Sequence, residues 1–182
     1  MKAYVALLRG INVGGNNLIK MPALKACFEA QGLCDVATYI QSGNVLFTVA
    51  GSDNLALCRR IEQALTKTFG YESRVVIRSR DELKSIVGKA PKGFGSKPAA
   101  YRYDVIFLRE PVTAAEAMKS VTAHPEVDQV FAGKGALYFS RLISKASKSH
   151  LSRIVGKPVY KDMTIRNWNT TSKLLELIEQ IS

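Results

Sequence analysis

No run of this chain is apolar for the roughly 20 residues that a membrane-crossing helix needs. Cysteine is scarce, with three residues in 182, and histidine scarcer still, with two. Cys27, Cys34 and Cys58 are odd in number and show no C-x-x-C spacing, which argues against a disulfide framework or a structural zinc site. They read as buried free thiols, as a reducing compartment would keep them. The first ten residues lack the charged start, long apolar run and small-residue cleavage site of a signal peptide, so a cytoplasmic location is expected. Carboxylates are also in deficit: 15 acidic residues stand against 26 Lys and Arg, a net charge of +11.

With 47% hydrophobic and 23% charged residues, the composition is that of a globule able to bury a core. The positive excess favours anionic partners such as nucleotides, nucleic acid or a lipid surface, and also serves solubility. It is evenly spread, with 12 basic and 7 acidic residues in 1–90 and 14 and 8 in 91–182, so neither half is a basic tail.

The apolar run Ala3 to Leu8 suits a central strand, and the segment after it, Arg9 to Lys20, reads Arg-Gly-Ile-Asn-Val-Gly-Gly-Asn-Asn-Leu-Ile-Lys. Its glycines permit positive φ and close approach of a ligand to the backbone, while Arg9, Asn12, Asn16, Asn17 and Lys20 supply mostly hydrogen-bond donors. The plainer reading is a turn with solvated asparagines. Helix one follows, with Pro22 in its first turn, Leu24, Cys27 and Phe28 at helical spacing and Gly32 as the stop. Val36 to Gln41 and Asn44 to Val49 form a hairpin about Ser42-Gly43, a second helix runs from Asp53 to Phe69, and a strand from Ser73 to Arg78. A capping box at Ser79 to Glu82 starts a short helix that ends at Gly88.

The order βαββαβ is the split arrangement of a ferredoxin-like fold. Residues 101–182 repeat it: a strand Tyr103 to Leu108, a capping box Thr113 to Glu116, a hairpin of Val127 to Ala132 with Ala136 to Ser140, a basic helix from about Ser147 to Val155, and a strand Val159 to Thr164. A shift of one hundred residues sets Lys2 on Arg102, Val5 on Val105, Leu8 on Leu108 and Arg9 on Arg109. The fold class is therefore α+β, with tandem ferredoxin-like βαββαβ subdomains, antiparallel sheets and an extra C-terminal helix carrying Leu174, Leu177, Ile178 and Ile181. The expected boundaries are 1–87 and 101–182, joined by a Gly- and Pro-containing linker at 88–100.

In this topology the first two strands run parallel, so the loop after one and the turn after the other emerge at the same end. Arg9, Asn12, Asn16 and Asn17 then meet Gln41, Ser42 and Asn44 in a rim. Asp, Glu and His are absent from residues 1–26 and 36–52, so metal binding and general-base chemistry lack groups there, whereas phosphate or carboxylate binding does not. No cofactor is implied. Arg166 and Asn167 extend the candidate set, because an Asn N-cap beside an arginine at a helix start attracts anions; Trp168 next to them reads as core filling. Lys134 to Arg166 holds eight cations and one acid, which could track a phosphate backbone or simply be a solvated face. Tyr4 and Phe47 are candidates for the exposed aromatics of an RNA-binding sheet, but Ser42 to Val49 lacks the basic-Gly-aromatic run of that family, and core packing is the favoured reading for both. No P-loop ending, dinucleotide fingerprint or nucleophile elbow is present, and His124 and His150 stand apart from any evident nucleophile.

Three stretches, Leu7 to Gly15, Thr38 to Val45 and Thr164 to Thr170, together resemble a bacterial family catalogued as domain of unknown function 1697. The resemblance spans nearly the whole chain, implies a soluble bacterial protein of this fold and leaves the activity open. The expected role is binding of an anionic ligand, nucleic acid or nucleotide, through Arg9, Asn12, Asn17, Gln41, Ser42 and Asn44, with Arg166 and Asn167 completing the site. The rival classes are an enzyme acting on a small phosphorylated or carboxylated metabolite and a protein-interaction module.

Overall fold

The computed structural model describes residues 1–12, 14–15, 17–51 and 53–181. Among these, strand β1 (Lys2–Leu8) leads through a loop to α1 (Met21–Glu29), then β2 (Cys34–Tyr39), β3 (Asn44–Val49), α2 (Asn54–Phe69), β4 (Val75–Ser79) and α3 (Arg80–Gly88). The second repeat holds β5 (Tyr101–Leu108), α4 (Ala114–Ser120), β6 (Asp128–Gly133), β7 (Ala136–Leu142) and β8 (Met163–Asn167), and α5 (Trp168–Glu179) follows. Two four-stranded antiparallel sheets result, ordered β2-β3-β1-β4 and β6-β7-β5-β8. This is the tandem ferredoxin-like architecture.

The two sheets share a register as well as an order. Tyr4 stands opposite Phe47 as Asp104 stands opposite Phe139, and Tyr4 pairs with Ser79 as Asp104 pairs with Asn167. Leu8 N–H donates to the Gly43 carbonyl and Leu108 N–H to that of Gly135, at 2.8 and 3.1 Å. The duplication suggested by four matching residues thus extends to the hydrogen-bond ladder.

Local chemistry explains most boundaries. Asp53 caps α2 by accepting from Ala56 N–H at 2.9 Å, and Gly70 ends it at φ 70°. Both capping boxes close: Glu82 accepts from Ser79 N–H at 2.7 Å, and Glu116 from Thr113 N–H at 2.8 Å. The expected basic helix at Ser147 to Val155 is instead a series of short 3-10 turns at Ile143–Lys148, Leu151–Gly156 and Pro158–Asp162. Only Leu151 and Ile154 are buried there, too few for an amphipathic stripe, and Ser149, Gly156 and Pro158 interrupt it. The last strand accordingly begins at Met163, later than the expected Val159.

By its contacts the chain divides into two compact units, Met1–Lys84 with Lys173–Ser182, and Ser85–Ser172. In the first, Tyr4, Ala6, Leu8, Phe28, Phe47, Leu57, Ile61 and Ile77 belong to one buried cluster between the sheet and its helices. Val5, Leu7, Leu46 and Val76, on the opposite face of the sheet, are no more than 2% exposed. Tyr4 and Phe47 therefore pack as core, stacked at 5.8 Å, and offer no RNA platform. In the second unit, Ile106, Leu108, Leu137 and Phe139 form the equivalent cluster. Cys27 and Cys58 are buried free thiols, whereas Cys34, at the start of an outer strand, is exposed.

Candidate functional site

Because β1 and β2 both lie antiparallel to β3, they run parallel to one another and end together. At that end of the first unit three segments are fastened side by side. Asn12 is the main fastener. Its Nδ2 donates to the carbonyls of Ile19 at 3.1 Å and Gln41 at 2.9 Å, and its Oδ1 accepts from Ile19 N–H at 2.8 Å. Asn17 Nδ2 donates to the Gly10 carbonyl at 2.9 Å, and Asn12 N–H to the Asn17 carbonyl at 3.2 Å. Arg9 N–H donates to the Arg74 carbonyl at 3.0 Å, which joins the start of β4 to the rim.

The backbone here is unusual. Asn12, Asn17 and Ile40 have φ of 52°, 47° and 48°, and Gly10, Gly14, Gly15 and Gly43 are also positive. Asparagine tolerates this region, but a β-branched isoleucine does not adopt it without strain. At Gly43 conformation and space both demand glycine, since a Cβ would lie 2.8 Å from Leu8 Cβ and from Ile11 Cδ1. Strain of this kind persists only where its surroundings hold it in place, and it concentrates at functional sites.

The sequence-predicted site residues thus fall into two groups. Asn12, Asn17 and Asn44 direct their amides inward: Asn44 is fully buried and donates from Nδ2 to Tyr39 O and Ser42 Oγ, both at 3.0 Å. Gln41 is exposed, while Arg9 and Ser42 are half-buried. Asn16 lies outside the described residues. Gly14, Gly15 and Lys20 are exposed on the same loop, as is Leu18 at 76%. Two carboxylates lie by the neighbouring start of β4: Glu72 pairs with Arg74 at 3.0 Å, and Glu62 Oε1 accepts from Val75 N–H at 2.9 Å.

Comparison of the repeats shows how far this loop departs from what the fold requires. β5 reaches α4 through residues 109–113 alone, whereas β1 reaches α1 through 9–20. Arg109 keeps the framework bond, donating its N–H to the Asp162 carbonyl at 2.8 Å, and its guanidinium lies 3.9 Å from the Asp162 carboxylate.

Arg166 and Asn167 belong to the second unit. Asn167 is exposed and caps α5 by accepting from Asn169 N–H at 2.9 Å. Arg166 is buried and donates from Nη1 to the Ile165 carbonyl at 2.9 Å; burial lowers its pKa to about 10. Among the described residues no group of three His, Cys, Asp or Glu is placed to hold a metal ion, and no helix is long and apolar enough to cross a membrane.

One feature had no signal in the sequence pattern. The expected linker contains Phe94, whose ring packs edge-on against Tyr103, Tyr138 and Trp168 at 4.9, 5.5 and 5.1 Å. Glycine and lysine content made this segment look like open chain, and a single phenylalanine does not register as a pattern.

The sequence model of a family described as "Protein of unknown function (DUF1697)" matches residues 1–138. Among solved structures, the conserved bacterial protein SP0830 from Streptococcus pneumoniae is similar over 97% of this chain and 98% of its own. The TM-score is 0.86 and the sequence identity 24%, a likeness that shows the fold. No curated protein matches the sequence.

Proposed function

The chain belongs to the DUF1697 family, and we propose that it binds an anionic ligand, a nucleic acid or a nucleotide, through the rim built on the 9–20 loop. The observation that carries this reading is the loop's surplus. The second repeat makes the same strand-to-helix connection through residues 109–113, so the longer, strained and internally bonded loop of the first repeat is not required by topology. Asn12, Asn17 and Asn44 shape the rim, and Arg9, Lys20, Gln41, Ser42 and the exposed backbone of Gly14 and Gly15 face the ligand. The absence of acidic side chains from 9–20 and 41–44 suits phosphate oxygens.

Gel shifts with RNA and DNA of about 20 nucleotides, repeated at several salt concentrations, test the proposal. Phosphate contacts predict affinity that falls linearly with salt on a log-log plot. K20A, at an exposed position, should weaken binding uniformly across sequences and reduce that slope by about 1. Affinity indifferent to salt, or unchanged in both K20A and R9A, would overturn the assignment. An enzyme acting on a small anionic metabolite is the second reading; turnover lost on rim substitution would favour it.

A further inference from the structure

The face of the second sheet turned away from its cluster of Ile106, Leu108 and Phe139 carries Tyr101 and Tyr103 on β5, Tyr138 and Ser140 on β7, and Gln129 and Phe131 on β6. Segment 91–100 crosses this face and is anchored by Phe94 among Tyr103, Tyr138 and Trp168. The anchor leaves no slack: a Cβ on Gly95, which has φ 84°, would collide with the Trp168 indole nitrogen. Tyr138 Oη donates to the Ile86 carbonyl at 2.6 Å, and Tyr103 Oη accepts from Lys97 N–H at 3.3 Å, so both rings are held at their polar ends too.

Beside the anchor lies a cavity of about 280 Å³ lined by Phe94, Tyr101, Tyr103 and Phe131, with Lys92 and Lys97 on the strap and no carboxylate among its lining residues. Phe131 is 43% exposed, unusual for a phenylalanine on a sheet. Gln129 and Ser140 add an amide and a hydroxyl to the wall. Aromatic side chains offer stacking to a planar ring, the amide and hydroxyl offer hydrogen bonds to its edge, and the lysines offer charge to an attached anion.

We infer that the groove of Phe94, Tyr101, Tyr103 and Phe131, flanked by Lys92 and Lys97, is a binding site for a nucleotide, free or as one unit of a single strand. The base lies against the aromatic side chains and the phosphate meets the lysines. This site is separate from the 9–20 rim and does not depend on it. It also differs from an RNA-recognition sheet in that the strap, rather than an open surface, forms one wall.

The chain provides its own reporter, because its one tryptophan, Trp168, touches the Phe94 ring. Titration of the full chain with adenosine monophosphate, and separately with an eight-nucleotide oligoadenylate, should change Trp168 emission saturably. F131A and the K92E/K97E double variant remove exposed groups and should keep the wild-type melting temperature. Each should weaken binding roughly tenfold or more, whereas K20A should leave this signal unchanged. Equal affinity for the two probes assigns a free nucleotide, and much tighter binding of the oligomer assigns a strand. No saturable change with either probe at millimolar concentration, or wild-type binding by F131A and K92E/K97E, would overturn the inference. A signal abolished by K20A but not by F131A would overturn it as well and transfer the binding to the rim.

Discussion

Arg78 and Arg166 hold one and the same position in the two sheets. Arg78 stands opposite Val5 and Arg166 opposite Val105, both are buried, and each donates from Nη1 to the carbonyl of the residue before it, at 2.7 and 2.9 Å. A guanidinium tolerates this better than an ammonium would, because it is more weakly hydrated and spreads its charge. Equivalent substitutions should therefore rank alike at both sites. R78K and R166K are each expected to lose more stability than R78M and R166M, with losses on the order of 1–3 kcal/mol. Urea denaturation of the four variants reads the order directly, and a lysine that outperforms methionine at either position would contradict it.

Asn12 makes three side-chain hydrogen bonds that join loop and hairpin. N12A removes all of them and puts alanine at φ 52°. The expected loss is about 2–4 kcal/mol. N12D keeps the acceptor for Ile19 N–H but loses both donations, so its midpoint in urea should fall between wild type and N12A.

Gly43 has no room for a side chain. G43A combines φ 75° with contacts of 2.8 Å to Leu8 and Ile11, and is expected to cost about 2–4 kcal/mol. G10A also sits at positive φ, but nothing lies within 4 Å of its added methyl, so it should cost only about 1 kcal/mol. Calorimetry of the two proteins separates the steric part from the conformational one.

Asp104 is buried, and its Oδ2 has no hydrogen-bond partner, although Arg141 Nη2 lies 3.6 Å away. Burial raises its pKa, against the lowering influence of Arg141 and Arg102. The folded chain then holds this proton more tightly than the unfolded chain does. Its contribution to stability should increase as pH falls from neutrality towards the usual carboxylate range. D104N should raise the melting temperature at pH 7 and flatten that dependence. A lower melting temperature at pH 7 would mean that the attraction of Arg141 outweighs burial.

Much of this fold was legible because its signals are local or periodic. Asp53, Ser79 and Thr113 announced helix starts by side-chain chemistry, and the repeated order of elements announced the duplication. The parallel course of β1 and β2, and with it the meeting of Asn12 and Gln41, followed from topology. Side-chain direction did not. Asn12, Asn17 and Asn44 look like surface donors in the sequence, but their amides satisfy nearby carbonyls, which no spacing rule reveals. Tyr4 and Phe47, by contrast, were legible as core, because the strand after Ser42-Gly43 lacks the basic-Gly-aromatic run that an RNA platform carries, and both are buried in the cluster beneath the helices. The 3-10 turns at 143–162 escaped because a positively charged stretch with two apolar anchors is ambiguous between a helix and a string of turns.

The outer strands break the symmetry of the copies in one place. Between Cys34 and Ala37 the register of β2 against β3 shifts, so that three steps along β2 match the two from Leu46 to Thr48. On β6 two steps, Gln129 to Phe131, match the two from Tyr138 to Ser140. Asp35 lies inside that shift at φ 50°, with its carboxylate accepting from Thr48 Oγ1 at 2.6 Å. Among the described residues the other paired strands stay in step. A single added residue has been absorbed at a margin, where one neighbour instead of two must adjust. Lineages of such doubled chains should therefore accumulate length changes in outer strands and connectors while their inner strands change only by replacement.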